Sequence, residues 1–127
     1  MHVRSSGVAD YKKLKVWQKA HGAAVNIHNA CARIRSKDHS HLKAQLLRAA
    51  FSVPANIVEG SGKQSQREFS RYLRIALNSA TEVEYHLIAA RDTEALGNET
   101  VKTLLNQIIE VRKMLHGLIE AVESNPD

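Results

Sequence analysis

The chain has 127 residues and a net charge of +5, with 43% hydrophobic and 24% charged residues. That length suits a single hydrophobic core, and that composition argues against general disorder. The lone Cys31 excludes an internal disulfide and leaves no pair for a metal knuckle, which fits a reducing cytoplasm.

The opening "MHVRSSGVADYKKLKVW" has no apolar core of a secretory leader, and nowhere do 18 apolar residues run together. A soluble, cytoplasmic protein without a membrane partner is expected, with residues 1–10 as a flexible tail, a bundle over 11–123, and a C-terminal tail over 124–127. The charge is unevenly spread. Residues 1–81 hold 14 Lys/Arg against 4 Asp/Glu, and residues 82–127 hold 4 against 9. A chain divided in this way binds nucleic acid with its basic part or pairs basic with acidic surfaces between subunits.

Four amphipathic helices are predicted. The first, about Tyr11 to Ile34, carries two rows: Leu14, Trp17, His21, Ala24, His28 and Cys31, and beside it Val16, Ala20, Ala23, Ile27, Ala30 and Ile34. In "RSKDHSH", Asp38 or Ser40 is placed to cap the second helix, His39 to Glu59, whose apolar side is Leu42, Leu46, Ala49, Val53 and Ile57. Pro54 lies inside that helix and predicts a bend, because it removes one backbone hydrogen bond and clashes with the preceding turn. Gly60, in "EGSGKQS", suits a left-handed residue past the helix end.

The third helix, Gln66 to Arg91, has the inner stripe Phe69, Leu73, Ala76, Ala80, Val83 and Leu87. After Gly97 and Asn98, the fourth shows a heptad seam of Val101, Leu104, Ile108, Val111, Leu115, Leu118 and Val122. Leu105, Ile109 and Ile119 widen it, either as a generous core stripe or as a subunit contact. Short loops between such helices predict an all-α, antiparallel up-down-up-down four-helix bundle, its second helix bent at Pro54.

"YKKLKVWQKAH" and "QLLRAAFSVPANIVEGSGKQSQREFSRYLRIALNSATEVEYHL" together resemble the bacterial large-subunit ribosomal RNA intervening-sequence proteins, with accessory proteins of diversity-generating retroelements as more distant relatives. Leu14 and Trp17 match the family's Leu-x-x-Trp. Gln45, Arg48, Ala49, Ser52, Pro54, Ala55, Asn56, Ile57, Glu59, Gly60 and Ser61 match its second-helix run, and Phe69, Ala76, Leu77, Ser79, Ala80, Glu82 and Glu84 its third. His28 stands where members often carry an aromatic residue, and Asn78 where glycine is frequent. The resemblance covers about Tyr11 to Arg91. It implies a small bundle in ring-like homo-oligomers, pentamers among them, some relatives associating with nucleic acid or a reverse transcriptase.

Gln45, Arg48, Ser52, Asn56 and Glu59 share one side of the second helix, with Ser79 and Glu82 available on the third. This stripe is read as a structural polar network, in which Arg48 neutralises a glutamate and Asn56 satisfies backbone freed by Pro54, in preference to a catalytic pair of Glu59 and Glu82. No Glu-x-x-His di-metal motif occurs, so neither a metal nor a cofactor is expected. His21 and His28 fall on the inner row of the first helix and read as core or interface residues. Cys31 reads as a buried structural thiol, and "GSGKQS" lacks the spacing of a phosphate loop. Lys63, Arg67, Arg71 and Arg74, joined by Lys12, Lys13 and Lys15, form candidate nucleic-acid-binding stripes, with Arg33, Arg35, Lys37 and Lys43 around the first loop. With no base-reading motif and few aromatic residues, contact would be to the phosphate backbone. A non-enzymatic homo-oligomer binding RNA or DNA or an RNA-handling partner is therefore expected, the alternative being a scaffold without nucleic-acid contact.

Overall fold

The computed structural model describes residues 10–125 and 127, so the tail expected over 1–10 lies, Asp10 apart, outside the described residues. Among them are four α-helices and no strand: α1 Lys15–Cys31, α2 Ser40–Ser61, α3 Gln66–Asp92 and α4 Asn98–Ser124. Short 3-10 turns at Tyr11–Lys13 and Lys37–His39 precede α1 and α2. Side-chain pairs between neighbouring helices run in opposite directions along the chain. Ser52 meets Ser79 across α2 and α3, Arg74 and Glu84 meet Glu123 and Arg112 across α3 and α4, and Lys19 and Asn26 meet Glu110 and Gln107 across α1 and α4. The bundle is therefore antiparallel up-down-up-down. One end gathers the Tyr11–Lys13 turn, the α2–α3 turn and the C-terminus; the other gathers the α1–α2 and α3–α4 loops.

The core fills the bundle axis with fully buried Ile27, Leu46, Ile57, Leu73, Leu87, Ile108 and Leu115. Each such side chain contributes about 1.5–3 kcal/mol on burial. The α3 stripe is buried throughout as expected. On α1 the Val16-to-Ile34 row is buried, whereas only Ala24 and Cys31 of the other row are; His21 and His28 are exposed. His21 stacks on Trp17 with centroids 4.9 Å apart, and His28 meets the edge of Phe51 at 6.3 Å. A helix of 3.6 residues per turn holds one full row against the core with the near edge of the second, Ala24 and Cys31, and His21 and His28 on the far edge turn outward. The α4 seam departs from a strict heptad for the same reason. Ile119 replaces Leu118 as the buried residue, with Leu118 half-buried and the last seam residue Val122 buried as expected, because a straight helix drifts about 20° per heptad.

Helix ends also differ from expectation. Neither Asp38 nor Ser40 caps α2. Ser36 instead accepts from the Asp38 N–H at 3.1 Å and starts the 3-10 turn that leads into α2. Ser65 caps α3 by accepting from the Glu68 N–H at 3.0 Å. Glu94 takes φ 64° in the α3–α4 loop, and the following Leu96 N–H reaches back to the Ala90 carbonyl at 3.1 Å. The last turn of α2 continues through Gly60 to Ser61, and Gly62 follows with right-handed φ −86°.

Gly60 is thus not a left-handed cap. A Cβ there would lie 2.8 Å from Tyr72 Cβ and 3.1 Å from Phe69 Cδ1, so glycine is what lets α3 approach α2. Gly60→Ala is expected to destabilise the fold by about 1–3 kcal/mol through overpacking. Gly22→Ala, where an added Cβ meets nothing within 4 Å, is expected to stabilise it by about 0.5–1 kcal/mol. Urea unfolding of the two variants beside wild type checks both signs.

Candidate functional site

The polar stripe of α2 does not close into one network. Its half-buried centre is Ser52 and Asn56 with buried Ser79 of α3. The Ser52 and Ser79 hydroxyls lie 2.8 Å apart, and Asn56 Nδ2 donates to the Ser52 hydroxyl at 3.0 Å and the Ser52 carbonyl at 2.8 Å. Arg48 is exposed and donates to Gln45 Oε1 at 3.1 Å, not to a glutamate. Glu59 is exposed and holds Lys63 at 3.4 Å one turn on. Glu82 is exposed, and its carboxylate has no hydrogen bond or ion pair among the described residues. Three of the seven stripe residues come together; of the other four, Gln45 and Arg48 pair with each other, and Glu59 and Glu82 stand apart on the surface.

Glu59 and Glu82 do not face one another. The Ser52–Ser79 and Gly60–Tyr72 contacts set the α2–α3 register, which places Glu82 beside the region of Ala49. That is ten residues from Glu59, about 15 Å along the helix. No cluster of three His, Cys, Asp or Glu side chains suited to a metal occurs among the described residues. Cys31 is buried, and burial pushes its thiol pKa up against an opposing pull from Lys43, so the thiolate is disfavoured.

The topology brings Lys12, Lys13 and Lys15 to the same end of the bundle as Lys63 and Arg67. With Arg71 and Arg74 farther along α3, four of the seven candidate cations are engaged by carboxylates. Lys13 holds Asp10 at 3.1 Å, Lys63 holds Glu59, and Arg71 holds Glu68 at 3.5 Å. Lys63 and Arg71 also lie over the Tyr72 ring, 5.3 and 4.6 Å from its centroid. Arg74 makes two hydrogen bonds, at 2.8 and 2.9 Å, to Glu123. Exposed Arg67, Lys12 and Lys15 hold no carboxylate among the described residues.

Glu123 was not among the sequence candidates, and neither was Asp127. Glu123 also accepts from the Ser70 hydroxyl, while both Asp127 oxygens accept from the Gln66 N–H, at 2.7 and 2.8 Å, at the start of α3. A cleft of about 230 Å³, lined by Gln66, Arg67, Ser70, Val122 and Glu123, lies beside these contacts. Their signal was available: Glu123 follows the seam residue Val122, and an antiparallel α4 returns it toward the arginines of α3. Arg112 and Glu84 make the corresponding half-buried pair farther along.

Antiparallel four-helix packing with a small polar lock between α2 and α3 defines the class as an all-helical bundle. The match to a family model extends over residues 12–117, and the chain belongs to the 23S rRNA-intervening sequence protein family. That match takes in most of α4, beyond the segment whose residues carry the sequence resemblance. A crystal structure of a protein of unknown function from the S23 ribosomal protein family of Bacteroides thetaiotaomicron is similar, at 32% identity and TM-score 0.77. The alignment covers 82% of this chain and 97% of that one. No curated protein matches.

Asn56→Ala is expected to cost about 1–2 kcal/mol in urea unfolding, since it strips a half-buried hydroxyl of its donor. Arg48→Ala, at an exposed site, is expected to stay within about 0.5 kcal/mol of wild type. The Glu123 carboxyl is held below its ordinary pKa, first by hydrogen bonding from Arg74 and then from Ser70. Because its folded pKa is depressed, its stabilisation is present above the unfolded carboxylate value and is lost as pH falls through the folded one. Thermal melts from neutral to acid pH should show Glu123→Gln below wild type at neutral pH, with the difference closing in acid.

Proposed function

We propose that this protein works by binding rather than by catalysis: a cytoplasmic homo-oligomer, with the ring of five subunits that the family resemblance implies, contacting the backbone of RNA or DNA. The observation that carries this reading is the charge left after internal pairing. Seven described lysines and arginines hold carboxylates, and ten do not: Lys12, Lys15, Arg33, Arg35, Lys37, Lys43, Arg48, Arg67, Lys102 and Arg-flanked Lys113. Cations that hold no carboxylate are the ones most readily matched to phosphate, with release of counterions. An RNA-handling protein such as a reverse transcriptase would be a further partner at the same surface.

The separation of Glu59 from Glu82 supports a non-enzymatic role, and no helix among the described residues is long and apolar enough to cross a membrane. Ile75, Tyr85 and Ile88 stand exposed on α3, Tyr85 at 65%, and supply apolar surface for contact between subunits. The alternative, a scaffold in which basic and acidic halves join across subunits, is less well supported. Lys19–Glu110 and Arg74–Glu123 already join them within one chain.

Fluorescence anisotropy with labelled structured RNA is expected to show micromolar binding that weakens steeply between low and moderate salt. Light scattering is expected to give a mass several times that of the 14.1 kDa chain. Absence of salt-sensitive binding at micromolar protein would sink the nucleic-acid reading and leave the scaffold.

A further inference from the structure

We infer that the nucleic-acid surface is centred on the α1–α2 end of the bundle, not on the α3 stripe, and that it takes single-stranded or looped strands. The inference rests on the binding role proposed above and locates it. Arg33, Arg35 and Lys37 are exposed in the loop and its 3-10 turn, Lys43 follows in the first turn of α2, and Arg48 stands on the outer face of that helix. None of the five holds a carboxylate among the described residues. The single acid in this stretch, Asp38, has no ion pair among the described residues, so the segment from Arg33 to Arg48 itself carries an excess of positive charge. At the opposite end, Lys13, Lys63, Arg71 and Arg74 each hold a carboxylate, with Arg74 bound through two hydrogen bonds. Lys12, Lys15 and Arg67 at that end hold no carboxylate among the described residues, but a phosphate reaching the other four must displace one from a formed hydrogen bond or ion pair. Among the described residues, all five cations at the α1–α2 end are without a carboxylate, and Arg48 alone is engaged by a neutral side chain, Gln45.

The aromatic surroundings specify the form of the strand. Phe51 is 39% exposed one turn beyond Arg48, and the exposed His28 ring of α1 meets it edge to face at 6.3 Å. From Lys43 to Phe51 the helix rises about 12 Å, so cations lead directly to an exposed ring pair. Cations tracking a backbone toward an aromatic face on which an unpaired base can stack form the general surface for single strands. Stacked bases inside a duplex cannot use such a ring, whereas splayed bases of a loop can.

The test compares wild type with three full-length variants, using labelled mixed-sequence single-stranded RNA and its duplex as probes. Arg35→Gln, Lys37→Gln and Arg48→Gln combined should weaken single-strand binding at low salt by about tenfold or more and lower the salt slope by about 2. Arg67→Gln with Arg71→Gln should stay within about threefold of wild type. Phe51→Ala should weaken single-strand binding by about fivefold or more and leave duplex binding nearly unchanged. All the substituted side chains are exposed, and unchanged thermal melts confirm that each variant is folded.

Loss of affinity in the α3 variant with retention in the loop variant would overturn the location while leaving nucleic-acid binding intact. Equal effects of Phe51→Ala on both probes would overturn the single-strand assignment. A wild-type protein that binds neither probe overturns the underlying role, and this inference with it.

Discussion

The close approach of α2 and α3 governs the rest of the bundle. Gly60 removes the one Cβ that would hold Tyr72 and Phe69 away, while Ala49 on the Ser52 side of α2 and Ala76 and Ala80 on the Ser79 side of α3 are small. Interiors are packed tightly enough that even a methyl group in the wrong place moves a helix. Within this seam, the Ser52–Ser79 hydrogen bond selects one register among sliding alternatives. Buried hydroxyls left unpaired by a slip would incur their desolvation cost, which apolar contacts alone do not impose. Once α3 is placed, Arg74 and Glu84 stand where α4 presents Glu123 and Arg112.

That placement changes the meaning of the charge pattern. Along the chain, basic residues precede acidic ones, which suggests an excess of each sign looking for an outside partner. In the bundle the last helix lies antiparallel to α3 and returns acid to the arginines. Arg74 and Glu123 sit 49 positions apart in sequence yet form a doubly hydrogen-bonded pair, the geometry in which arginine binds carboxylate best. The α1–α2 loop has no comparable pairing with the acids at its own end of the bundle: Asp92 holds Arg91, and exposed Glu94 and Glu99 hold no cation among the described residues. Net charge of the molecule is thus a poor guide to where its free charge lies.

The helices and most of their inner faces were legible because apolar periodicity is a local property. The α3 stripe and the bundle topology needed only spacing and short loops. What was not legible depended on neighbours. His21 and His28 fit an inner row by spacing, but the second row beside them carries Ile27 and Ile34, and only one row can face the axis. Leu118 fits a strict heptad, yet the accumulated drift of a straight helix puts Ile119 inside. Gly60 was legible as special but for the wrong reason, since a glycine beside a helix end and a glycine under a crossing helix look alike in sequence. Of the polar stripe, Ser52, Asn56 and Ser79 could be read from the α2 periodicity and the antiparallel partner. The exposure of Arg48, Glu59 and Glu82 could not, because it depends on where α3 leaves the seam.

Pro54 shows how far a local explanation reaches. It lies inside α2, which runs uninterrupted from Ser40 to Ser61, and it leaves the Ala50 carbonyl without its usual donor. Asn56 cannot supply that donor. The Ala50 carbonyl is six residues back, about 9 Å along the axis, while an asparagine side chain bends back only to the carbonyl one turn away. It does so here, bonding Ser52. The consequence falls on the other hydrogen bond from the same amide: Asn56 donates to the Ser52 hydroxyl that also meets Ser79, and between the two hydroxyls either can donate. The asparagine therefore holds the Ser52 end of the inter-helix hydrogen bond rather than repairing the proline. Proline and polar cluster are neighbours on one helix with separate tasks, and the cluster's task is to hold α3 in register.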